Sequence, residues 1–404
     1  MQEREELNYQ SVGSLLASTT ERKIKSEELV AGFLAGPCGN NFTADKDRAV
    51  LLDQIILHGK PSGSLHGIPI GLVSDKPVDY PQEKSTLEGI LVGNGAVPAI
   101  YDAGNTEKKT DSSLNRFRGI SAIGEAVLGN QLPLSLGIGR GWEFVLEASG
   151  LGLCSYVPSF GIVSRYGLHD DLRTNFRVGM FANFLEDLAH VGDLVSRYDS
   201  QDSLSLSYPV PSLMDFVLMD LPVLPSLCSF DLAATGFPSD YVEDFTLLSG
   251  SLETTIEQIP FPDFTDMLTE LEILLANNPE DNTIRKSLYE YMYKPGDKGP
   301  LEDKSPNPLE EVFLQLGRFF ERFFLDFDAI ILPSSLGGDD INNKIPPISK
   351  VAEICGLPII SIPVLMDREE YPLGLSLIGK YWEDDRLFRS ATWISQQLFG
   401  QEEE

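Results

Sequence analysis

Short apolar runs alternate along this chain with longer amphipathic stretches, and this alternation restricts the fold more than any other feature of the sequence. The runs have the length and composition of strands buried on both faces, and the stretches between them carry apolar residues at helical spacing. This order predicts an α/β layered fold with a substantially parallel sheet. The predicted strands are 68–73, 132–138, 329–332, 357–364 and 373–378. The predicted helices are two short ones within 14–34, joined near 22–25, and single helices at 49–58, 183–198, 263–275, 308–324 and 384–398.

Polar and turn-forming residues are concentrated in several regions, which we expect to lack regular structure. These regions are 75–84, 102–118, the proline-rich 208–238, and 293–308. The pair Ser334-Ser335, which precedes Gly337 and Gly338, is expected to lie in a loop at the end of a strand.

The charge balance excludes several classes of partner. The chain has 404 residues, and 31 Lys and Arg stand against 61 Asp and Glu, for a formal net charge of −30. Nucleic-acid backbones and anionic membrane surfaces would repel such a chain, so neither is expected as a partner. Hydrophobic residues make up 42% of the sequence, which is enough to form a core and excludes global disorder.

Cysteine and histidine are few and scattered. The cysteines form no C-x-x-C pair, which indicates free thiols in a reducing, cytoplasmic compartment. The histidines lack the spacing of a zinc site, so we expect no metal and no other cofactor, and His66 is expected to be structural. We expect no secretory signal in Met1–Leu15 and no membrane-spanning helix. The cysteines are Cys38, Cys154, Cys228 and Cys355.

Six segments, in the same order along the chain, resemble the motifs of the amidase signature family. One short motif would be weak evidence, whereas six in order are strong evidence for the fold. The segments are LHGIPI at 65–70, LPLSLGIGRGWE at 132–143 continuing without a gap to GIVSRYGL at 161–168, VG at 178–179 with LEDL at 185–188 and the Asp-Ser turn at 199–203, FDAIILP at 327–333, GLP at 356–358, and YPLGLSLIG at 371–379.

The resemblance implies a mixed β-sheet sandwiched between layers of α-helices. It also implies a single domain over 1–404, in which N-terminal helices at 1–60 pack on an amidase signature core at 61–404. Active members of the family use a Ser nucleophile, a second Ser and a Lys. The neutral Lys accepts the nucleophile's proton through the second Ser, and backbone N–H groups of a glycine-rich turn stabilise the oxyanion.

None of the three catalytic positions implied by the resemblance carries the residue that this chemistry needs. The gap-free register places the nucleophile position at Glu143, and the second Ser and the Lys correspond to Gly119 and Val73. A shift of one or two residues would bring Ser121 to the second position. Lys76 lies three residues beyond Val73, about 10 Å along an extended strand and on the opposite face, so its reach and direction both oppose a role as the base.

The residues around position 143 allow more than one interpretation. Glu143 is either a new general base or a carboxylate held at a helix N-terminus, and we favour the second. There it would occupy the donors that an oxyanion requires and so plug the site. Arg140 either pairs with Glu143 or binds a carboxylate ligand, and Trp142, in place of a family glycine, is expected to pack. The vestigial pocket would be lined by Ser121, Gly139, Arg140, Gly141 and Trp142.

The sequence therefore predicts an amidase-like protein that has lost amide hydrolysis and acts by binding. Its ligand would be a small amide or carboxylic acid, or the chain would serve as a scaffold or complex component that contacts a protein partner or a second copy of itself. The alternative is an active amidase with relocated catalytic groups, for instance Ser121 and Lys76.

Overall fold

One mixed sheet of 11 strands organises the part of the chain that the computed structural model describes, which is 11–74, 85–102, 112–168, 176–217, 224–260, 308–336, 345–364 and 373–399. The strands are β1 Phe42–Ala44, β2 Pro69–Ser74, β3 Val97–Asp102, β4 Leu134–Gly139, β5 Cys154–Val157, β6 Arg177–Ala182, β7 Leu227–Phe230, β8 Ile256–Ile259, β9 Ala329–Pro333, β10 Ile359–Val364 and β11 Leu373–Gly379. The helices are α1 Val12–Thr20, α2 Ser26–Leu34, α3 Lys46–Leu57, α4 Thr86–Gly93, α5 Ser112–Leu128, α6 Gly141–Leu151, α7 Leu185–Val195, α8 Met214–Val217, α9 Ser239–Ser251, α10 Pro308–Asp326, α11 Pro347–Ile354 and α12 Asp384–Phe399.

The strand order is β1-β3-β2-β4-β6-β5-β10-β11-β9-β7-β8. Strand β2 is parallel to β3 and β4, and β7 is parallel to β8 and β9, whereas the other neighbouring pairs are antiparallel. The mixed sheet is therefore confirmed, and the prediction of a substantially parallel sheet is wrong. Every residue of β4, β5, β6 and β9 is buried. Antiparallel strands that are covered on both faces give the same continuous apolar runs as parallel ones, so the pattern alone did not distinguish the two.

Helices cover both faces of the sheet, as two glycines of β11 show. A Cβ on Gly374 would lie 2.7 Å from Cβ of Ser149 in α6. A Cβ on Gly379 would lie 3.0 Å from Cβ of Leu387 in α12. Positions 374 and 379 differ by an odd number, so they point to opposite faces of the strand. Helices α6 and α12 therefore lie on opposite sides of β11.

The N-terminal helices follow the predicted pattern closely. Helices α1 and α2 are separated by a turn in which Arg22 has a φ of 62°, and Gly59, with a φ of 97°, follows the end of α3. Val12, Leu15 and Phe33 belong to the main core cluster. The first helices are thus packed on the body of the fold, because their apolar faces have that core to cover.

Several elements differ from the predicted ones. Helix α5 begins at Ser112, so the irregular structure predicted for 102–118 is wrong at its C-terminal end. Strand β7 and helix α8 lie within 208–238, where proline content had indicated irregular structure. Strands β3, β5 and β6 were not predicted, because they are short or contain proline, glycine or a charged residue. The helix predicted at 263–275, the region 75–84 and most of 293–308 lie outside the described residues.

Candidate functional site

The turn between β4 and α6 carries the predicted nucleophile position. Strand β4 ends at Gly139, Arg140 has an extended backbone with φ −76° and ψ 141°, and α6 begins at Gly141. Glu143 lies in the first helical turn and is only 6% exposed. Its side chain therefore points into the protein, at the end of the helix where the backbone N–H groups lack helical partners.

The backbone N–H groups of this turn donate to oxygens of the chain itself. The N–H of Arg140 donates to Glu143 Oε2 at 2.8 Å, and the N–H of Glu143 donates to the carbonyl of Arg140 at 3.0 Å. Glu353 of α11 lies near this turn, and the charges of Arg140 and Glu143 both affect its pKa. The Glu143 contact is the carboxylate half of a capping box, and it is the arrangement that our favoured interpretation of Glu143 requires.

Gly139 leaves the space that the Glu143 carboxylate occupies. A Cβ at position 139 would lie 2.5 Å from Glu143 Oε2 and 2.6 Å from Cδ1 of Ile120 in α5. Ile120 follows Gly119, so the structure brings the predicted positions 119 and 143 close together. The methyl group of Ile120 fills the region beside the carboxylate with an apolar surface.

The third predicted position, Val73, lies on a neighbouring strand. Strand β2 pairs with β4 in parallel, and Gly71 and Leu72 are opposite Ser135 and Leu136. Val73 is completely buried, and its aliphatic side chain cannot accept a proton. Lys76, the substitute base of the alternative interpretation, lies outside the described residues.

Ser121, the serine of the alternative interpretation, contacts an acid on the adjacent helix. Its hydroxyl donates to the Glu147 carboxylate of α6. Burial raises the pKa of Glu147, the Ser121 hydrogen bond lowers it, and the charge of Glu125 raises it further. The structure therefore gives Ser121 a carboxylate neighbour, which is a weak base for a hydroxyl.

Two charged residues that the sequence did not indicate complete the site. Arg177, at the start of β6, is 3% exposed, and its Nη1 donates to the carbonyl of Leu357 at 2.6 Å. Glu353 is 6% exposed, and burial raises its pKa to about 7, against the lowering effect of Arg177 and Arg140. Both residues are far from Glu143 in sequence and lie in no motif that we identified.

The remaining predicted residues have packing roles in the structure. Trp142 is 8% exposed, and the guanidinium carbon of the exposed Arg140 lies 6.0 Å from the centre of its ring, at the limit of a cation–π contact. His66 is buried, its Nδ1 accepts the N–H of Ser62 at 2.9 Å, and burial lowers its pKa. Ser334 lies at the end of β9, where its hydroxyl contacts those of Ser361 and Ser376.

Other features of the described residues lie away from this turn. The four cysteines are free thiols, and among the described residues no cluster of His, Cys, Asp and Glu has the arrangement of a metal site. Within the same ranges no helix is both long and apolar enough to cross a membrane. A groove of about 980 Å³ lies between β8 and α10, and its described lining, which includes Arg318 and Phe323, contains none of the predicted site residues.

Comparisons with known proteins find relatives and solved structures that are similar over most of the chain. No protein-family model matches the chain. The chain is similar to the glutamyl-tRNA(Gln) amidotransferase A subunit of Macrococcus caseolyticus, with 24% identity over 98% of each chain. The protein of the same name from Enterococcus faecalis is 26% identical over 89% of this chain and 88% of its own. A solved bacterial aryl acylamidase of the amidase signature enzymes has a TM-score of 0.69 and 16% identity over 96% of both chains, which shows a common fold.

Proposed function

Because this chain belongs to the amidase signature family, we propose that it has kept the family's scaffold, has lost amide hydrolysis, and acts as a binding subunit of a protein complex. The observation that carries the proposal is the occupation of the turn before and within α6. Of the four amides at 140–143, those of Arg140 and Glu143 donate to oxygens of the chain itself. Donors that are already engaged do not stabilise an oxyanion.

The side chains at the predicted catalytic positions support the same conclusion. Amide hydrolysis through an acyl-enzyme needs a hydroxyl or thiol nucleophile with an adjacent base. Glu143 supplies neither hydroxyl nor thiol, Gly119 has no side chain, and Val73 has only methyl groups. Loss of one oxyanion donor alone typically lowers the rate by about 10²–10³, and loss of nucleophile and base lowers it further, although such effects are not additive.

A role within a protein complex agrees better with this site than a role in holding a small amide or acid. A ligand carbonyl or carboxylate would compete with the Glu143 carboxylate for the Arg140 amide of the turn. The relatives from Macrococcus and Enterococcus are named as one subunit of an amidotransferase, and such a component works beside other chains. We also propose that 1–404 is a single domain, because the packing of α1 and α2 on the main core cluster favours this interpretation.

The alternative, an active amidase that uses Ser121, has one observation in its favour. The Ser121 hydroxyl bonds to Glu147, a carboxyl group whose pKa is raised mainly by burial. A raised pKa makes a carboxylate a better base, so this pair is the arrangement in the described residues that most resembles a nucleophile with a base. The alternative also predicts a role for Lys76.

Release of ammonia from simple linear amides tests hydrolysis directly. We expect the purified chain to give no more ammonia than buffer alone. Turnover that Ser121→Ala abolishes would establish the alternative. Turnover that survives Ser121→Ala and is lost in Glu143→Gln would instead make Glu143 a general base, and the proposal would be wrong.

The size of the native particle tests the proposed role in a complex. We expect the protein in an extract of its source cells to elute larger than the purified chain on the same size-exclusion column. A purified chain that already elutes at the size found in the extract contradicts a hetero-complex. If that common size is about twice 44.6 kDa, the partner is a second copy of the chain.

A further inference from the structure

The carboxyl group of Asp187 attaches the N-terminal end of α1 to the body of the fold. Asp187 lies in the first turn of α7 and is 3% exposed. Its Oδ1 accepts the N–H of Val12, the first residue of α1, at 2.8 Å, and Val12 is completely buried. The two residues are 175 positions apart in sequence, so this hydrogen bond joins α1 to a distant element.

A second hydrogen bond attaches the C-terminal end of α1. The hydroxyl of Thr19 donates to the carbonyl of His66 at 3.0 Å, and Thr19 is buried. A hydroxyl and a backbone carbonyl do not ionise near neutral pH. The two ends of the helix are therefore held by different chemistry, and of these two contacts the one at Val12 involves an ionisable group.

The surroundings of Asp187 oppose a negative charge. Its second oxygen, Oδ2, is buried, and no donor among the described residues lies within hydrogen-bond distance of it. Burial raises the pKa of Asp187 to about 7, the Val12 N–H lowers it, and the charge of Glu186 raises it. The charge of Asp187 in turn raises the pKa of the buried Cys154 thiol in β5. Helix α1 has no charged residue, and no described charged group of α4, β6, α8 or α12, which also contact α7, contributes to the shift at Asp187.

We propose that the contact between Asp187 and Val12 is a pH-sensitive attachment of α1, which is firm while Asp187 is protonated and loosens when Asp187 ionises. Loosening gives the carboxyl group access to water, where it has its ordinary pKa of 3.8. The attachment is therefore firmest below this pH and weakens as the pH rises through 7. The loosened end exposes the apolar side chains of Val12 and Leu15, while the Thr19 contact still holds the other end. No residue of the β4–α6 turn takes part, so the inference does not depend on the proposed function.

Amide hydrogen exchange of the full chain, measured by mass spectrometry on a peptide that covers α1, tests this inference. We expect the opening constant of α1 to rise about tenfold per pH unit between about pH 4 and pH 7, because opening releases one proton. The opening constant of α3, measured in the same samples, should rise less. Asp187→Asn keeps an oxygen that accepts the Val12 N–H but does not ionise, so in this variant the excess rise of α1 over α3 should disappear.

Asp193→Asn is the matched control. Asp193 also lies in α7, and its carboxylate accepts the N–H groups of Leu213 and Met214 at 2.6 Å and 3.1 Å, so it attaches α7 to the start of α8 instead of α1. We expect this variant to keep the excess rise of α1. An excess that survives in Asp187→Asn, or that disappears equally in Asp193→Asn, would overturn the proposal.

The test remains decisive if Asp187→Asn fails to fold. The comparison of α1 with α3 in the wild type then decides, and equal rises in the two helices would overturn the proposal. Exchange at α1 reports the attachment of a helix and the ammonia assay reports turnover, so failure of the inference and failure of the proposed function are distinguishable.

Discussion

At the scale of single residues, Gly139 is important because its lack of a side chain leaves room for the Glu143 carboxylate. We predict that Gly139→Ala lowers the free energy of unfolding by about 1–3 kcal/mol, because the added methyl group would clash with Glu143 Oε2 and with Ile120. Urea unfolding measures this. Gly150→Ala is the control, since Gly150 lies in the following helix, α6, with open space around it. It should stabilise by about 0.5–1 kcal/mol, and a similar gain in Gly139→Ala would contradict the close contact.

Glu353 should make the stability of the protein depend on pH near neutrality. Its folded pKa of about 7 lies above the ordinary value of 4.5, so the folded state binds the proton more tightly. The stability that this proton supplies is complete below pH 4.5 and is lost as the pH rises through 7. We predict that the wild type loses up to about 3 kcal/mol relative to Glu353→Gln across this window, measured by urea unfolding at each pH. Parallel curves for the two proteins would show that Glu353 does not titrate there.

At the scale of elements, Asp384 connects helix α12 to the sheet. It is fully buried and accepts hydrogen bonds from the Tyr156 hydroxyl at 2.7 Å, the Ser159 N–H at 2.8 Å and the Ser159 hydroxyl at 2.6 Å. We predict that Asp384→Ala lowers the free energy of unfolding by about 3 kcal/mol or more, because these donors remain buried without their acceptor. Asp385→Ala, at the next and partly exposed position, should cost less than about 1 kcal/mol. Equal losses would indicate a general effect of charge at the helix start.

The elements that the sequence predicted correctly are those with a long, uniform pattern. The apolar runs of β2, β4, β10 and β11 and the amphipathic period of α10 and α12 indicated their existence and type. Strand β6 was missed because Arg177 and a glycine interrupt its pattern. A charged residue is expected to be exposed. Arg177 is buried instead, and its Nη1 donates to the carbonyl groups of Pro158 and Leu357.

The candidate site was predictable only where its residues are adjacent in sequence. The gap-free motif placed Glu143 at the start of a helix, and the structure has α6 begin at Gly141. Arg177 reaches the same turn because β6 pairs with β4 and places it opposite Gly139, and Glu353 reaches it through α11, which contacts α6; no local pattern encodes either arrangement. Their roles depend on tertiary distance, and a single sequence does not contain that information.

At the scale of the whole molecule, the net charge of −30 should oppose the folded state. Salt reduces this repulsion, since the Debye length falls from about 10 Å at 0.1 M to about 3 Å at 1 M. We predict that the melting temperature rises by a few degrees across this range, and to the same extent in NaCl and KCl. Calorimetry in both salts measures it. A flat or falling melting temperature would show that the acidic residues are too far apart to repel one another.

The sheet ends on both sides in a short strand, and this limits how copies of the molecule can associate. Among the described strands, β1 with three residues and β8 with four stand at the outer positions. These short edge strands offer few unpaired backbone groups to a strand of another molecule, and Glu257 places a negative charge on β8. Polymerisation by continuation of the sheet is therefore disfavoured, and a stable assembly would have to be built from helical surfaces.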